Sequence, residues 1–139
     1  MILLDTNVIS AVMQRHVEPK VLAWLDGLPP ESVWITAVTV FEIRFGLEIL
    51  PEGRRRRQLE EAFAKALEED LGDRILPFDR TAAQEAARIA ANQRRAGRPV
   101  EIRDVQIAGI ATARKAVIAT HNIKHFEGLG LKLVDPWAA

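Results

Sequence analysis

The 139-residue chain contains no cysteine, which excludes disulfides, thiolate metal sites and cysteine nucleophiles and fits a reducing compartment. It has no segment near the roughly 20 uninterrupted apolar residues that span a bilayer. Its start, Met1-Ile2-Leu3-Leu4-Asp5, lacks a positively charged lead and a cleavage site. These absences predict a cytoplasmic protein that does not engage membranes. An excess of one charge is also missing: 19 Lys and Arg balance 19 Asp and Glu, so the whole molecule exerts no net attraction on nucleic acid. A local basic rim beside a local acidic pocket remains compatible with that neutrality. There is neither a Gly-x-Gly-x-x-Gly turn after the first strand nor a phosphate-binding Gly-x-x-x-x-Gly-Lys-Ser/Thr loop. The only serines are Ser10 and Ser32, and no Gly-x-Ser-x-Gly elbow is present, which argues against acyl transfer.

The apolar residues lie in short periodic groups, as in a globular protein, and the length suits one domain over residues 1–139. Ile2-Leu3-Leu4, Val33-Trp34-Ile35, Arg74 to Phe78, Val117 to Thr120 and Leu131 to Val134 read as strands. Between them the spacing predicts helices: one through Val8 to Met13, one from Pro19 to Leu25, and an apolar one reaching Leu50. An amphipathic helix follows Arg54 to Arg57, then an alanine-rich one from Asp79 to Arg95 and an apolar one opening at Asp104. Strands alternating with helices predict an α/β fold, a parallel central sheet with helices on both faces. In such sheets the functional crevice lies outside the carboxyl ends of the strands, which points to Asp5 after the first strand and to His121-Asn122 after the fourth.

What stands out is acids at element boundaries. Asp5 ends a buried strand, Glu42 falls at the start of an apolar helix, and Asp104 opens another. Each has a purely structural reading: Asp5 and Asp104 as helix N-caps, Glu42 as the return arm of a Thr39-Val40-Phe41-Glu42 capping box. If the three converge, they repel one another unless a cation neutralises them, and oxygen donors in a chain without cysteine favour Mg²⁺ or Mn²⁺ over zinc.

Four segments, in order, carry a resemblance that covers essentially the whole chain. They are Met1 to Ser10 (MILLDTNVIS), Thr36 to Gly46 (TAVTVFEIRFG), Ile102 to Ala111 (IRDVQIAGIA) and Ala119 to Phe126 (ATHNIKHF). Together with the Pro-Trp near the end they resemble the successive motifs of PIN-domain proteins, in particular the VapC and FitB toxins of bacterial toxin-antitoxin pairs. The resemblance implies a PIN-like domain, a homodimer, and a Mg²⁺- or Mn²⁺-dependent ribonuclease leaving 5′-phosphate and 3′-hydroxyl ends. It further implies a cognate antitoxin that covers the acids and through which operator DNA is bound. Residue by residue, Asp5, Glu42 and Asp104 match the three central acids that catalyse and hold metal. Thr6, Asn7 and Thr120 match supporting positions, and Asn122 stands where many members carry a fourth acid.

Two rivals remain at this stage: a non-catalytic PIN-like module that binds DNA or RNA with its antitoxin partner, and a phosphotransferase with Asp5 as nucleophile, which Asn7 in place of a second Asp disfavours. His121 and His125 flank the expected site and read as surface or hydrogen-bonding residues. Arg94, Arg95, Arg98 and Arg103 precede Asp104 closely enough to line its rim and contact phosphates. Trp24, Trp34 and Trp137 read as core or dimer-interface residues.

Overall fold

The computed structural model describes residues Met1–Ala139. Five short strands, Ile2–Leu4 (β1), Val33–Thr36 (β2), Ile75–Leu76 (β3), Val117–Ala119 (β4) and Lys132–Val134 (β5), pair in parallel in the order β3-β2-β1-β4-β5. Six α-helices connect them: Thr6–Val12 (α1), Pro19–Asp26 (α2), Ala37–Glu48 (α3), Arg54–Lys65 (α4), Arg80–Arg95 (α5) and Ile102–Arg114 (α6). This is the parallel α/β arrangement that the alternation of apolar runs predicts. The chain runs outward from β1 to β2 and β3, then returns to the other side of β1 for β4 and β5. The strand order therefore reverses between β1 and β4, whose carboxyl ends flank the crevice.

Because successive strand residues face opposite sides, each strand feeds two cores. Leu3, Leu76, Ile118 and Phe126 pack with Ala82 and Ile89 of α5 and Ile107 and Ile110 of α6. Leu4, Ile35 and Ala119 pack on the other face with Val8, Ile9, Ile43, Leu47 and Phe63. Each of these large buried side chains contributes roughly 1.5–3 kcal/mol, so a slip of β1 against β4 that exchanged Leu3 and Leu4 would cost several kcal/mol. The three tryptophans sit at the edges of the two cores, Trp34 against the first and Trp24 and Trp137 against the second.

Helices α5 and α6 approach so closely that a Cβ at Gly109 would lie 2.5 Å from the Ala82 carbonyl oxygen and 2.7 Å from Ala86 Cβ. Glycine at this position lets α6, which starts at the site, pack against its neighbour. The third strand is shorter than its apolar run predicts. Pro77 has no amide hydrogen for a ladder, and the Arg74 side chain is turned to the Val33 and Asp70 carbonyls, at 2.8 and 3.0 Å. β4 likewise ends at Ala119, one residue before the predicted end, and β5 begins at Lys132 rather than Leu131. No helix is long and apolar enough to cross a membrane.

Candidate active site

The register of the two central strands builds the first part of the site. Leu4 pairs with Ala119 and the Asp5 amide donates to the Ala119 carbonyl at 2.9 Å, which sets Asp5 beside Thr120 across the switch point. Asp5 is the N-cap of α1, and its Oδ1 accepts from the Thr6 amide at 2.8 Å. Its Oδ2 accepts from the Thr120 hydroxyl at 2.9 Å and from Asn7 Nδ2 at 3.1 Å. Asn7 is itself fixed, donating to Thr120 Oγ1 at 3.2 Å and accepting from the His121 amide at 3.0 Å. Asp5 is 7% exposed and Thr120 fully buried. That burial raises the Asp5 pKa above the ordinary carboxylate value, while the hydrogen bonds from Thr120, Thr6 and Asn7 and the nearby His125 restrain the rise.

Glu42 enters from α3, and here the capping-box reading is corrected. The helix begins three residues earlier than Thr39: Thr36, the last residue of β2, is its N-cap and accepts from the Thr39 amide at 3.1 Å. Thr39 is buried within the helix, so Glu42 sits in the second turn rather than the first and has no amide to cap. Its Oε1 accepts instead from the Thr6 hydroxyl at 2.8 Å, so Thr6 bridges Asp5 and Glu42 with its amide and its side chain.

Asp104 comes from α6, and its N-cap reading is corrected as well. Glu101 caps that helix, accepting from the Asp104 amide at 2.9 Å, and the Asp104 carboxylate is left free. Its Oδ2 lies 3.3 Å from His125 Nδ1. Burial is the largest of the causes that push its pKa up to about 6, and the negative charges of Glu101, Asp5 and Glu42 add to it against the pull of His125. The charges of Asp5 and Glu42 both act on Asp104, which links acids from three segments far apart in sequence.

The structure thus brings Asp5, Glu42, Asp104, Thr6, Asn7 and Thr120 together. Asn122 differs. Its backbone amide donates to Thr120 Oγ1 at 3.0 Å, but its side chain is exposed and makes no hydrogen bond to the acids. His121 is engaged elsewhere, with Nδ1 3.4 Å from Asp135 Oδ1 and its ring 4.4 Å from that of Trp137. Of the four arginines expected at the rim, Arg103 reaches a site acid, its Nη1 3.7 Å from Glu42 Oε2. Arg95 and Arg98 bond back to Asn92 and Gln93 of α5. The sequence reading did not single out Glu101. Glutamate is not among the residue types that favour the N-cap position, so the sequence carried no clear signal for this cap.

No group of three or more His, Asp or Glu side chains stands close enough together to hold a metal ion. The donor chemistry nevertheless suits a divalent cation. Three carboxylates share a partly buried crevice, two of them are pushed toward protonation, and Arg103, 44% exposed, is the one guanidinium paired with them. A hard cation would relieve that repulsion, and oxygen ligands of this kind suit Mg²⁺ or Mn²⁺.

A parallel sheet with an acidic crevice at its switch point defines an α/β protein whose site lies at the β1 and β4 strand ends. The chain belongs to the PIN-domain family, whose PIN domain profile matches residues 2–129. It is 40% identical over the full length of both chains to the plasmid stability protein StbB of Pseudomonas syringae pv. tomato. It is 36% identical to the VapC ribonuclease Y4jK of Sinorhizobium fredii, over 99% of this chain and 98% of the relative. It is 34% identical to the toxin FitB of Neisseria gonorrhoeae over 99% of each chain. A solved structure of FitAB bound to an IR36 DNA fragment matches with a TM-score of 0.88 at 34% identity, covering 99% of this chain and 96% of that one.

Proposed function

We propose that this protein is a toxin that hydrolyses RNA phosphodiesters with a divalent metal at Asp5, Glu42 and Asp104, acts as one domain over residues 1–139 in the cytoplasm, and is neutralised by a cognate antitoxin. The observation that carries this reading is the acid cluster itself, in which burial raises the pKa of Asp5 and burial together with the neighbouring acids raises that of Asp104. The relatives named as ribonuclease and toxin support the activity, and the FitAB complex on DNA supports a partner through which operator DNA is bound. Mg²⁺ or Mn²⁺ held by Asp5 and Asp104, with Glu42 as a further donor, would supply Lewis-acid polarisation of the scissile phosphate and acidify the attacking water.

The chain's own groups have distinct tasks in this reading. Thr120, Asn7 and the Thr6 amide hold Asp5 in one orientation, and the Thr6 hydroxyl holds Glu42 Oε1. Glu42 Oε2, which faces Arg103 Nη1 at 3.7 Å, would receive the proton that the attacking water releases once that guanidinium turns to a phosphate. Arg103 supplies a half-exposed guanidinium for a neighbouring backbone phosphate. The water oxygen bonds to phosphorus, the bond from phosphorus to the 3′ oxygen breaks, and a proton goes to that oxygen, leaving 5′-phosphate and 3′-hydroxyl ends.

Two apolar surfaces support the proposed partners. Phe41, Phe45 and the C-cap residue Ile49 recur every four residues along one exposed apolar stripe at α3, a surface that suits a two-fold homodimer interface. A cleft of about 620 Å³ between α1, α2 and α4, lined by Leu4, Val12, Leu25, Val33 and Ala62 among others, is open for an antitoxin helix. The decisive experiment is cleavage of a fluorescent RNA by the rigorously purified chain with Mg²⁺, with Mn²⁺ and with chelator. Metal-dependent cleavage is expected. Binding of RNA without cleavage in either metal would replace this reading with that of a nucleic-acid-binding module.

A further inference from the structure

We propose that His125 is itself a metal ligand, so that the site presents an imidazole nitrogen beside its carboxylates and prefers Mn²⁺ to Mg²⁺. The inference rests on the metal-dependent reading above and concerns which ion that site selects. Two side chains after β4 could reach the acids, and the geometry separates them. Asn122 spends its backbone amide on Thr120 and leaves its side chain exposed and unbonded to the cluster. The chain then makes a single 3₁₀ turn, Ile123–His125, closed by the Phe126 amide on the Ile123 carbonyl at 3.0 Å. Phe126 is buried in the core at 1% exposure and anchors the turn from below. That anchor holds His125 over the crevice, with Nδ1 3.3 Å from Asp104 Oδ2.

Two donors in adjacent octahedral positions at about 2.1–2.2 Å from one ion stand roughly 3.0 Å apart. The His125 to Asp104 separation is within a few tenths of an ångström of that value, so one ion between the two groups needs little movement of either. His125 also lies close enough for its charge to be felt at Asp5, the other carboxylate proposed to hold the ion. Imidazole is a common donor for first-row transition ions, whereas Mg²⁺ is held by carboxylates, phosphates and water. An all-oxygen site would discriminate little between Mg²⁺ and Mn²⁺, and the nitrogen tips the balance toward Mn²⁺.

The test is pulsed electron paramagnetic resonance of the full-length protein loaded with Mn²⁺, together with Mn²⁺ and Mg²⁺ titrations by calorimetry. Wild type should show the coupling of a directly bound imidazole ¹⁴N, and His125→Gln should lose it. His125→Gln should also weaken Mn²⁺ binding about tenfold while changing Mg²⁺ binding less than about twofold. His125→Asp should recover Mn²⁺ affinity without the nitrogen signal and without the preference for Mn²⁺. His125 is half-exposed, so these variants should keep the wild-type circular dichroism spectrum. Mn²⁺ bound to wild type with no nitrogen coupling would overturn this proposal and leave the metal-dependent reading standing. Failure of wild type to bind either ion would overturn both.

Discussion

Asp5 accepts hydrogen bonds from three separate donors and is nearly sealed from solvent, whereas Asp104 meets one imidazole at 3.3 Å and three other acids. The two carboxylates belong to one cluster and carry the same chemistry, but they are stabilised differently. Asp5 is locked by strand register and by capping α1, so its geometry is set by the fold. Asp104 is held by the start of α6 while its charge is opposed by its surroundings. A site assembled this way pairs a rigid anchor with an acid that the folded protein alone does not favour in its ionised form, which leaves that acid available for a cation.

The strongest way to break this comparison is Asp104→Asn. Under the proposed function it should reduce RNA cleavage by more than roughly 100-fold, since outer positioning partners of a metal already cost 10–100-fold. It should leave the fold intact and should not lower thermal stability at neutral pH. Cleavage assays with paired melting curves check this, and an active Asp104→Asn protein would end the assignment of Asp104. Thr120→Val tests the other member. It removes a buried hydroxyl that donates to Asp5 and accepts from Asn7 and the Asn122 amide. Expected is a loss of about 1–3 kcal/mol in denaturant unfolding, with weakened metal binding. If Thr120→Val leaves stability unchanged, Asp5 is not locked in the way described.

The contrast also has a pH signature. A carboxyl raised to about 6 in the native state keeps its proton where the unfolded chain, near 3.8, has lost it. Between these values the native state binds more protons, so this group's contribution makes stability fall as pH rises from about 4 to 6. With Asp104 partly solvated, the expected size is on the order of 1–2 kcal/mol. Unfolding measured across that range should lose this component in Asp104→Asn. Added Mn²⁺ should stabilise wild type more at pH 7 than at pH 5, because protons compete for the same carboxylate.

Much of this was legible in the sequence, for reasons that also explain what was not. β1 could be read because a short apolar run ended by Asp-Thr-Asn has few other interpretations, and the crevice rule then located Asp5. The structure brings Glu42 and Asp104 to the same crevice, but it gives the capping roles read for them to other residues. Thr36 and Thr39 both satisfy the preference for an N-cap, and the choice is made by β2, whose pairing with β3 extends through Thr36. At α6 the preference points the wrong way, because Asp104 is the favoured N-cap type and Glu101 takes the position. The contact between His125 and Asp104 could not be read, because it depends on a 3₁₀ turn pinned by Phe126 and on where α6 begins. Neither leaves a periodic pattern.

The smallest expected effect belongs to Asn122→Asp. The resemblance puts a fourth acid at this position, and an added charge beside the cluster should favour a divalent cation. The structure limits how much. The Asn122 backbone is tied to Thr120, so its Cα is held at the edge of the site, but its side chain is exposed and bonded to no member of the cluster. A carboxylate there would act largely through solvent, where attraction at a few ångströms is about 1 kcal/mol or less and salt screens it further. We therefore expect Mn²⁺ affinity to rise about two- to fivefold at low salt, with less gain at higher ionic strength and with cleavage retained. Calorimetric titration of both proteins at two salt concentrations checks this. No change at low salt would put Asn122 outside the site altogether. A salt-independent gain above about tenfold would mean that residue 122 reaches the ion directly, and the division between a turn that delivers His125 and a strand end that merely braces Asp5 would have to be redrawn.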